Sequence, residues 1–128
     1  MTTPVNGFAV TTAHPEVHVI RAAGVLDMSA VARLLRLLDA RLALVDQGRS
    51  PTRHVVIDLS ATRAADAAAL DAFKHAVYTT GRLHVGLHVV GTGYLIAHLP
   101  LSAHRHLSHL STYPTVQAAL HALTVARI

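Results

Sequence analysis

Two aspartates follow segments that are typical of β-strands and precede segments that are typical of helices. Asp27 ends the run Gly-Val-Leu-Asp, and Asp66 precedes the short apolar run at residues 67–70. Parallel strands end at one edge of their sheet, where ligands and partners usually bind, and a helix start presents unpaired backbone N–H groups there. The sequence therefore predicts either one exposed polar surface containing both aspartates, or two aspartates that only cap helices.

Histidine is the other residue type that could do chemistry here, since the chain has eleven. His104, His106 and His109 lie in a histidine-rich segment, residues 98–109, and the last two have the spacing of one helix face. The chain has no cysteine, and no acidic residue after Asp71 could complete a ligand set. We therefore predict no metal site and no cofactor, and keep a histidine-based metal-binding protein as an alternative.

No motif of a common catalytic site is present. The chain lacks both the Gly-x-Ser-x-Gly of serine hydrolases and the Gly-x-x-x-x-Gly-Lys phosphate-binding loop. The Gly-Thr-Gly at residues 91–93 lacks the third glycine of a dinucleotide fingerprint and is predicted to be a turn. The arginines are scattered, and three Tyr and two Phe offer few stacking platforms. We predict neither an enzyme nor a nucleic-acid-binding protein.

The elements that must position these residues alternate between strands and helices. The helix at residues 28–47 has a broad apolar side, and the β-branched run at residues 54–59 is typical of a strand covered on both faces. His84 and His88 are predicted to share one strand face, which could respond to pH. Further strands are predicted at residues 8–10, 16–23, 83–90 and 112–113, and further helices at residues 66–80, 102–110 and 115–126.

This alternation predicts an α/β fold with a mostly parallel mixed β-sheet covered by about four α-helices. The boundaries we expect are an N-terminal segment with a short edge strand, residues 1–15, and one domain, residues 16–128. The length of 128 residues and the 52% hydrophobic content fit one globular domain, and the net charge is +4.

Residues 83–104 carry no Asp, Glu, Lys or Arg, but His, Gly and Pro interrupt them, so we predict no membrane span. The start of the chain does not resemble a signal peptide, and the lack of cysteine fits the cytoplasm.

The order and spacing of these motifs resemble the STAS domain, the fold of bacterial anti-sigma factor antagonists and of the cytoplasmic tails of sulfate transporters. The resemblance covers residues 16–122. It rests on the Gly-Val-Leu-Asp before the first helix, the apolar strand ending in Asp58, Leu59 and Ser60, the following Asp66, and the Ala-Ala-Leu at residues 118–120. It implies a single STAS-like domain, and the lack of a predicted membrane span favours the stand-alone antagonists over the transporters.

In phosphorylated members of the family, the second motif reads Asp-Ser-Ser-Gly-Leu or Asp-Ser-Thr-Gly-Leu, and a kinase that is itself the anti-sigma factor modifies a hydroxyl there. Here alanines occupy those positions, so the resemblance implies a degenerate phosphorylation site at Ala67 and Ala68. Ser60 and Thr62 are predicted to be loop hydroxyls that could hold a displaced switch. The partner-binding surface that the resemblance implies consists of Asp27, Asp66, Ala67, Ala68, Ala69 and Leu70.

We therefore expect a non-catalytic cytoplasmic interaction module that binds an anti-sigma factor or a related regulatory protein without control by phosphorylation at the usual serine. The alternative is a small-ligand sensor that uses the sheet edge and residues 91–101. In that stretch, an apolar group could form a homodimer surface or an extra buried turn: Tyr94, Leu95, Ile96 and Leu99.

Overall fold

The computed structural model describes residues 7–97 and 110–125 and contains one five-stranded sheet. β1 runs antiparallel to β2, and each later strand runs parallel to the strand before it, in the spatial order β1-β2-β3-β4-β5. The predicted mostly parallel mixed sheet is therefore confirmed. The strands are β1 (Gly7–His14), β2 (Val17–Leu26), β3 (His54–Ala65), β4 (Gly86–Val90) and β5 (Ser111–Tyr113).

Helices connect the parallel strands and cover both faces of the sheet. They are α1 (Met28–Asp46), α2 (Ala67–Asp71), α3 (Phe73–Arg82), α4 (Gly93–Ala97) and α5 (Val116–Val125). The one helix predicted at residues 66–80 is two helices, because the N–H of Ala72 bonds to the Ala69 carbonyl in a tighter turn at 3.1 Å. The helix predicted at residues 102–110 lies almost wholly outside the described residues. No helix in the described ranges is long and apolar enough to cross a membrane.

α1 forms where the apolar periodicity predicts it, one residue shorter at its end. Its buried stripe contains Val31, Leu34, Leu38 and Leu42, spaced three or four residues apart, so one side of the helix packs on the sheet. This packing fixes the direction of the helix. Its first turn consequently lies at the carboxyl end of β2.

The sheet separates two hydrophobic cores. The larger lies under α1, α3 and α4 and includes Ile57 and Phe73, whereas the smaller lies under α5 and includes Val56 and Ala119. Successive residues of β3 point to opposite cores, as side chains in a strand must. The prediction that residues 54–59 form a strand covered on both faces is therefore confirmed.

β1 and β3 are longer than predicted because pairing with β2 extends them, and β2 itself continues three residues past its predicted end at residue 23. β3 continues to Ala65, and its last residues pair with β2 up to the partners Leu26 and Ala65. The Thr62 hydroxyl donates a hydrogen bond to the Ala22 carbonyl at 3.2 Å. Ser60 therefore lies in a strand and not in a loop, and so does Thr62. β1 likewise pairs with β2 from its first residue, so it is part of the same sheet.

Candidate functional site

The ends of β2 and β3 bring Asp27 and Asp66 together at the carboxyl edge of the sheet. Leu26 and Ala65 are register partners, and the N–H of Asp66 donates to the Leu26 carbonyl at 3.1 Å. The residue after each partner, Asp27 or Asp66, is the N-cap of the helix that follows. The structure thus places the two aspartates beside each other, at equivalent positions of adjacent parallel strands.

Both aspartates cap the helices that follow them. Asp27 has extended backbone geometry, and its Oδ1 accepts the Ala30 N–H at 2.8 Å. The Oδ1 of Asp66 accepts the Ala68 N–H at 3.2 Å. Both residues are exposed, and neither forms an ion pair within the described residues. The capping and the surface interpretations therefore hold together, because each carboxylate caps a helix and still presents negative charge to solvent.

The four residues after Asp66 divide into two exposed and two buried. Ala67 and Ala68 are exposed in the first turn of α2. Ala69 and Leu70 are 0% exposed and belong to the larger core, because the same turn packs its inner side against α1 and the sheet. Their predicted place on a partner-binding surface is therefore corrected. Their side chains anchor the turn that holds Asp66.

Two apolar residues that the sequence analysis did not single out flank Asp27. Val25 is 39% exposed and Met28 is 54% exposed, so apolar side chains reach solvent on both sides of Asp27 in the sequence. Val25 is at an outward position of β2, so the alternation of that strand was the available signal. We call the exposed group at this edge the carboxyl-edge surface: Val25, Asp27, Met28, Asp66, Ala67 and Ala68.

The hydroxyls near this surface differ in access. Thr62 is 3% exposed, so a kinase cannot reach its hydroxyl in this conformation, whereas Ser60 is exposed. The N–H of Ser60 donates to Asp58 Oδ1 at 2.9 Å. A Cβ added to Gly91, whose φ is +71°, would lie 2.7 Å from the Cβ of Ser60. The turn after β4 therefore passes directly beside Ser60.

The sequence left two alternatives for the apolar residues around α4, an extra buried turn or an exposed surface, and α4 contains one residue of each kind. Leu95 is 1% exposed and joins the larger core, while Tyr94 is 59% exposed. Leu99 lies outside the described residues. An open groove of about 190 Å³ between α1 and α3 and an open hollow of about 360 Å³ between β1 and α1 contain no residue of α4. Neither cavity supports a ligand site formed by residues 91–101.

A histidine pair lies on the face of the sheet that α5 covers. His54 Nδ1 and His88 Nε2 are 3.1 Å apart, within hydrogen-bond distance. A Cβ at Gly86 would lie 2.7 Å from one of these nitrogens and 2.8 Å from the other, so the pair occupies the space a side chain would need. His84 lies in the turn before β4 with φ +57°, and its predicted sharing of a strand face with His88 is wrong.

Burial decides the protonation of this pair. Burial, followed by the nearby charge of His54, lowers the pKa of His88 to about 4. Burial, followed by the charge of Arg53, lowers the pKa of His54 as well. The two imidazoles are therefore neutral at neutral pH, one donating and the other accepting. Among the described residues, buried His88 Nδ1 has no hydrogen-bond partner, so none of them accepts a proton carried on that atom.

Three metal ligands do not meet anywhere in the described residues. Within residues 7–97 and 110–125, no group of three or more His, Cys, Asp or Glu side chains could hold a metal ion. The alternative of a metal site formed by His104, His106 and His109 concerns residues outside these ranges.

The chain was compared with known protein families, with curated proteins and with solved structures. The family model of the STAS domain matches residues 9–119. The chain belongs to the STAS family. The resemblance inferred from the order of motifs is therefore confirmed, and so is the single α/β STAS-like domain. Among curated proteins, none matches the chain.

Three solved structures are similar to this STAS domain over nearly its whole length. An anti-sigma factor antagonist from Mycobacterium paratuberculosis is 26% identical, with a TM-score of 0.68 over 95% of this chain and 97% of that one. RsbS from Moorella thermoacetica is 16% identical, with a TM-score of 0.66 over 94% and 98% of the two chains. The anti-sigma factor antagonist SpoIIAA from Bacillus, in its unphosphorylated form, is 12% identical, with a TM-score of 0.64 over 94% and 98%. At 16% and 12% identity, the last two likenesses concern the fold.

Proposed function

We propose that this STAS domain is a non-catalytic regulatory module that binds an anti-sigma factor, or a related regulatory protein, in the cytoplasm. The carboxyl-edge surface is the contact, with Asp27 and Asp66 as its charged centre. The observation that carries this proposal is the pair of exposed carboxylates at adjacent strand ends. Membership of the STAS family supports it, and so does the similarity to solved anti-sigma factor antagonists.

The carboxyl-edge surface has the composition of a protein contact. Val25 and Met28 add exposed apolar area beside Asp27, and the methyl groups of Ala67 and Ala68 add more beside Asp66. Exposed apolar residues next to charged ones give this surface the mixed composition that protein interfaces have. The apolar part supplies binding energy, while the carboxylates select a partner of complementary charge.

The surface is proposed to bind without control by phosphorylation at residues 67 and 68. A phosphate there would add nearly two negative charges next to Asp66 and would repel an acidic partner surface or change its contacts. Alanine has no hydroxyl to accept a phosphate, so the neutral surface at Ala67 and Ala68 is permanent. The domain then acts as an antagonist that is always competent to bind.

Affinity capture from a lysate of the source organism tests the proposal, with ATP or ADP added. We expect an anti-sigma factor to be recovered equally with both nucleotides and lost with Asp27→Arg. Asp46→Arg is the matched control, since Asp46 is an exposed aspartate at the far end of α1 and its replacement makes the same charge change. Asp27→Asn keeps the cap and removes only the charge, so it separates binding from folding. A partner held equally by wild type and Asp27→Arg would contradict the proposal.

Mass spectrometry that locates phosphorylated residues, after incubation with that partner and ATP, tests whether phosphorylation controls this domain. We expect no phosphate on the domain. Ser60 is the exposed hydroxyl on the strand that leads to Asp66, and it lies beside the turn at Gly91. Phosphate at Ser60, together with weaker capture, would show that the switch has moved rather than disappeared.

A further inference from the structure

β1 forms an edge of the sheet that lacks the usual protection. It pairs with β2 on one side, and its other side has no partner strand among the described residues. Gly7–His14 contains no Lys, Arg, Asp, Glu or Pro, which are the residues that natural edge strands use to prevent the addition of another strand. The register is regular from Gly7 to Thr11, and the one irregularity follows at the end of the strand. Within residues 7–97 and 110–125, the backbone groups on this outer edge are therefore not paired with another strand, and they have regular β geometry.

A hollow lies beside that edge, between β1 and α1. Its volume is about 360 Å³, and its lining includes Phe8, Val10 and Leu37. Phe8 and Val10 point toward α1, because their register partners Ala22 and Ile20 face the larger core. Val10 is 47% exposed. The floor of the hollow is thus apolar and open to solvent.

Two arginines of α1 form the charged rim of this hollow. Arg33 and Arg36 line it and are exposed, and the guanidinium of Arg33 lies 5.3 Å from the centre of the Phe8 ring. Neither arginine has an ion pair in the described residues. Asp39, the acidic residue nearest to them in α1, is directed toward α3, where its Oδ2 lies 3.8 Å from Nε2 of His75.

The rest of the chain cannot supply acidic side chains to these arginines. All seven Asp and Glu residues of the chain are among the described residues, and none occurs in residues 1–6, 98–109 or 126–128. The positive rim therefore has no side-chain counter-charge within its own chain. A second copy of the chain would bring another uncharged β1 and two more arginines, so it fits this edge poorly.

We propose that the outer edge of β1 and this hollow bind an extended acidic segment of a partner protein, which joins the sheet as a further strand. Backbone hydrogen bonds to β1 would supply sequence-independent affinity, as in other cases of strand addition. Because alternate side chains of a strand share a face, an apolar residue can enter the hollow while acidic residues two positions away meet the arginines. Arginine pairs with carboxylates through two parallel hydrogen bonds, which adds specificity at Arg33 and Arg36.

This surface is separate from the carboxyl-edge surface and goes beyond the proposed function. The residues that line the hollow belong to edge strand β1 and to α1. The variant Asp27→Arg tells the two surfaces apart, since it leaves Arg33, Arg36 and β1 unchanged.

Titration of the full-length, ¹⁵N-labelled domain with two capped peptides tests the proposal by NMR. The first, Thr-Asp-Thr-Val-Thr-Asp-Thr, places Asp, Val and Asp on one strand face, and the second replaces each Asp by Lys. We expect the acidic peptide to shift the amide signals of residues 7–12 and 33–37 in a saturable way. The basic peptide should bind about tenfold more weakly or not at all, a difference of the size expected for charge-assisted hydrogen bonds.

Two kinds of variant sharpen the experiment. The double variant Arg33→Glu and Arg36→Glu should reverse the preference between the peptides. Arg49→Glu is the control, because Arg49 is exposed but does not line the hollow, and it should leave the preference unchanged. Acidic peptides N-methylated at either the odd or the even positions lose alternate backbone donors, so one of the two sets should fail to bind. Asp27→Arg should bind the acidic peptide normally.

Several results would overturn the proposal. These are equal binding of both peptides, absence of binding by the acidic peptide, perturbation confined to the carboxyl-edge surface, or insensitivity of both N-methylated sets. Dimerisation that shifts the β1 amides and excludes the acidic peptide would assign the edge to a second copy of the chain.

Discussion

The backbone N–H of Asp66 donates to the carbonyl of Leu26 and continues the pairing of β2 with β3, which places the two capping aspartates next to each other. Leu26 is the last residue of β2, and Asp66 follows the last residue of β3. Adjacent strands are about 4.8 Å apart, so the sheet, not a loop, sets the separation of the two helix starts. A partner that binds this edge meets a pair of carboxylates whose backbone positions are fixed before binding.

The first prediction concerns the capping bond of Asp27. Asp27→Ala removes the acceptor for the Ala30 N–H, and we expect the free energy of unfolding to fall by about 1 kcal/mol. Asp27→Asn keeps an oxygen acceptor and should cost much less. Urea denaturation of the three proteins measures the difference. An equal loss for both variants would mean that the negative charge, rather than the hydrogen bond, stabilises the start of α1.

The second prediction rests on the proposed function and concerns Ala68. Ala68→Glu adds a negative charge to the exposed first turn of α2, where the helix dipole favours it, so the fold should be unaffected or slightly more stable. We expect the affinity for the captured partner to fall by about tenfold, because the new charge imitates a phosphate. Ala68→Gln has nearly the same shape without the charge and should bind almost as wild type does. Calorimetric titration compares them, and an equal loss for both would indicate a steric effect.

The third prediction compares two glycines with opposite surroundings. A Cβ at Gly86 would meet the imidazoles of His54 and His88 at 2.7 Å and 2.8 Å, so Gly86→Ala must displace the pair and should cost about 1–3 kcal/mol. Gly81 lies within α3 with no atom near the position of a Cβ, so Gly81→Ala should stabilise by about 0.5–1 kcal/mol. Thermal unfolding gives both signs. Stabilisation by Gly86→Ala would show that the histidine pair is not packed as described.

The fourth prediction concerns acid pH and two buried histidines, His18 and His88. His18 is 3% exposed, and burial, aided by the charge of Arg41, lowers its pKa from 6.5 to about 4. His88 is 8% exposed, and its pKa is lowered to about 4. The unfolded chain therefore binds more protons than the folded one between pH 6.5 and pH 4, so stability is complete above pH 6.5 and is lost as the pH falls through this window.

Urea denaturation at several pH values measures this loss as a slope of stability against pH. His88→Gln removes one titrating group and should remove about half of the slope attributable to the two residues, whatever it does to stability at neutral pH. His121→Gln is the control, since His121 is exposed on α5. A slope unchanged in the double variant His18→Gln and His88→Gln would assign the acid sensitivity to other groups.

The parts of the fold that sequence predicts well are those with one clear period. α1 combines an aspartate cap with apolar residues every three or four positions, so its start and its buried side follow from local order. The continuous apolar run at residues 54–59 likewise indicates a strand with both faces covered. The resemblance to the STAS family rested on the order and spacing of several such local motifs, from the Gly-Val-Leu-Asp before α1 to the Ala-Ala-Leu at residues 118–120.

Local sequence patterns do not predict contacts between residues that are far apart in the chain. His54 and His88 are 34 residues apart in the chain, and only the register of β3 and β4 brings them together. The extension of β3 to Ala65 depends on pairing with β2, since its polar and alanine-rich end has weak strand propensity. Leu70 and Phe73 fit the apolar stripe of the helix predicted at residues 66–80, and both are buried. The expected place of Leu70 on a partner-binding surface came from the family resemblance alone.

The unequal cores on the two faces of the sheet give the molecule unequal resistance to local opening. In the described residues, α5 is anchored mainly by Ala119 and Leu123 above the valines of the smaller core, and β5, which precedes it, is three residues long. Elements with few buried apolar contacts open with the lowest free energy. α5 and β5 should therefore exchange their amide hydrogens through partial openings, while β2, β3 and α1 exchange only when the whole domain unfolds. Asp27 and Asp66 directly follow β2 and β3, so we expect the pair to stay assembled during partial openings of α5 and β5.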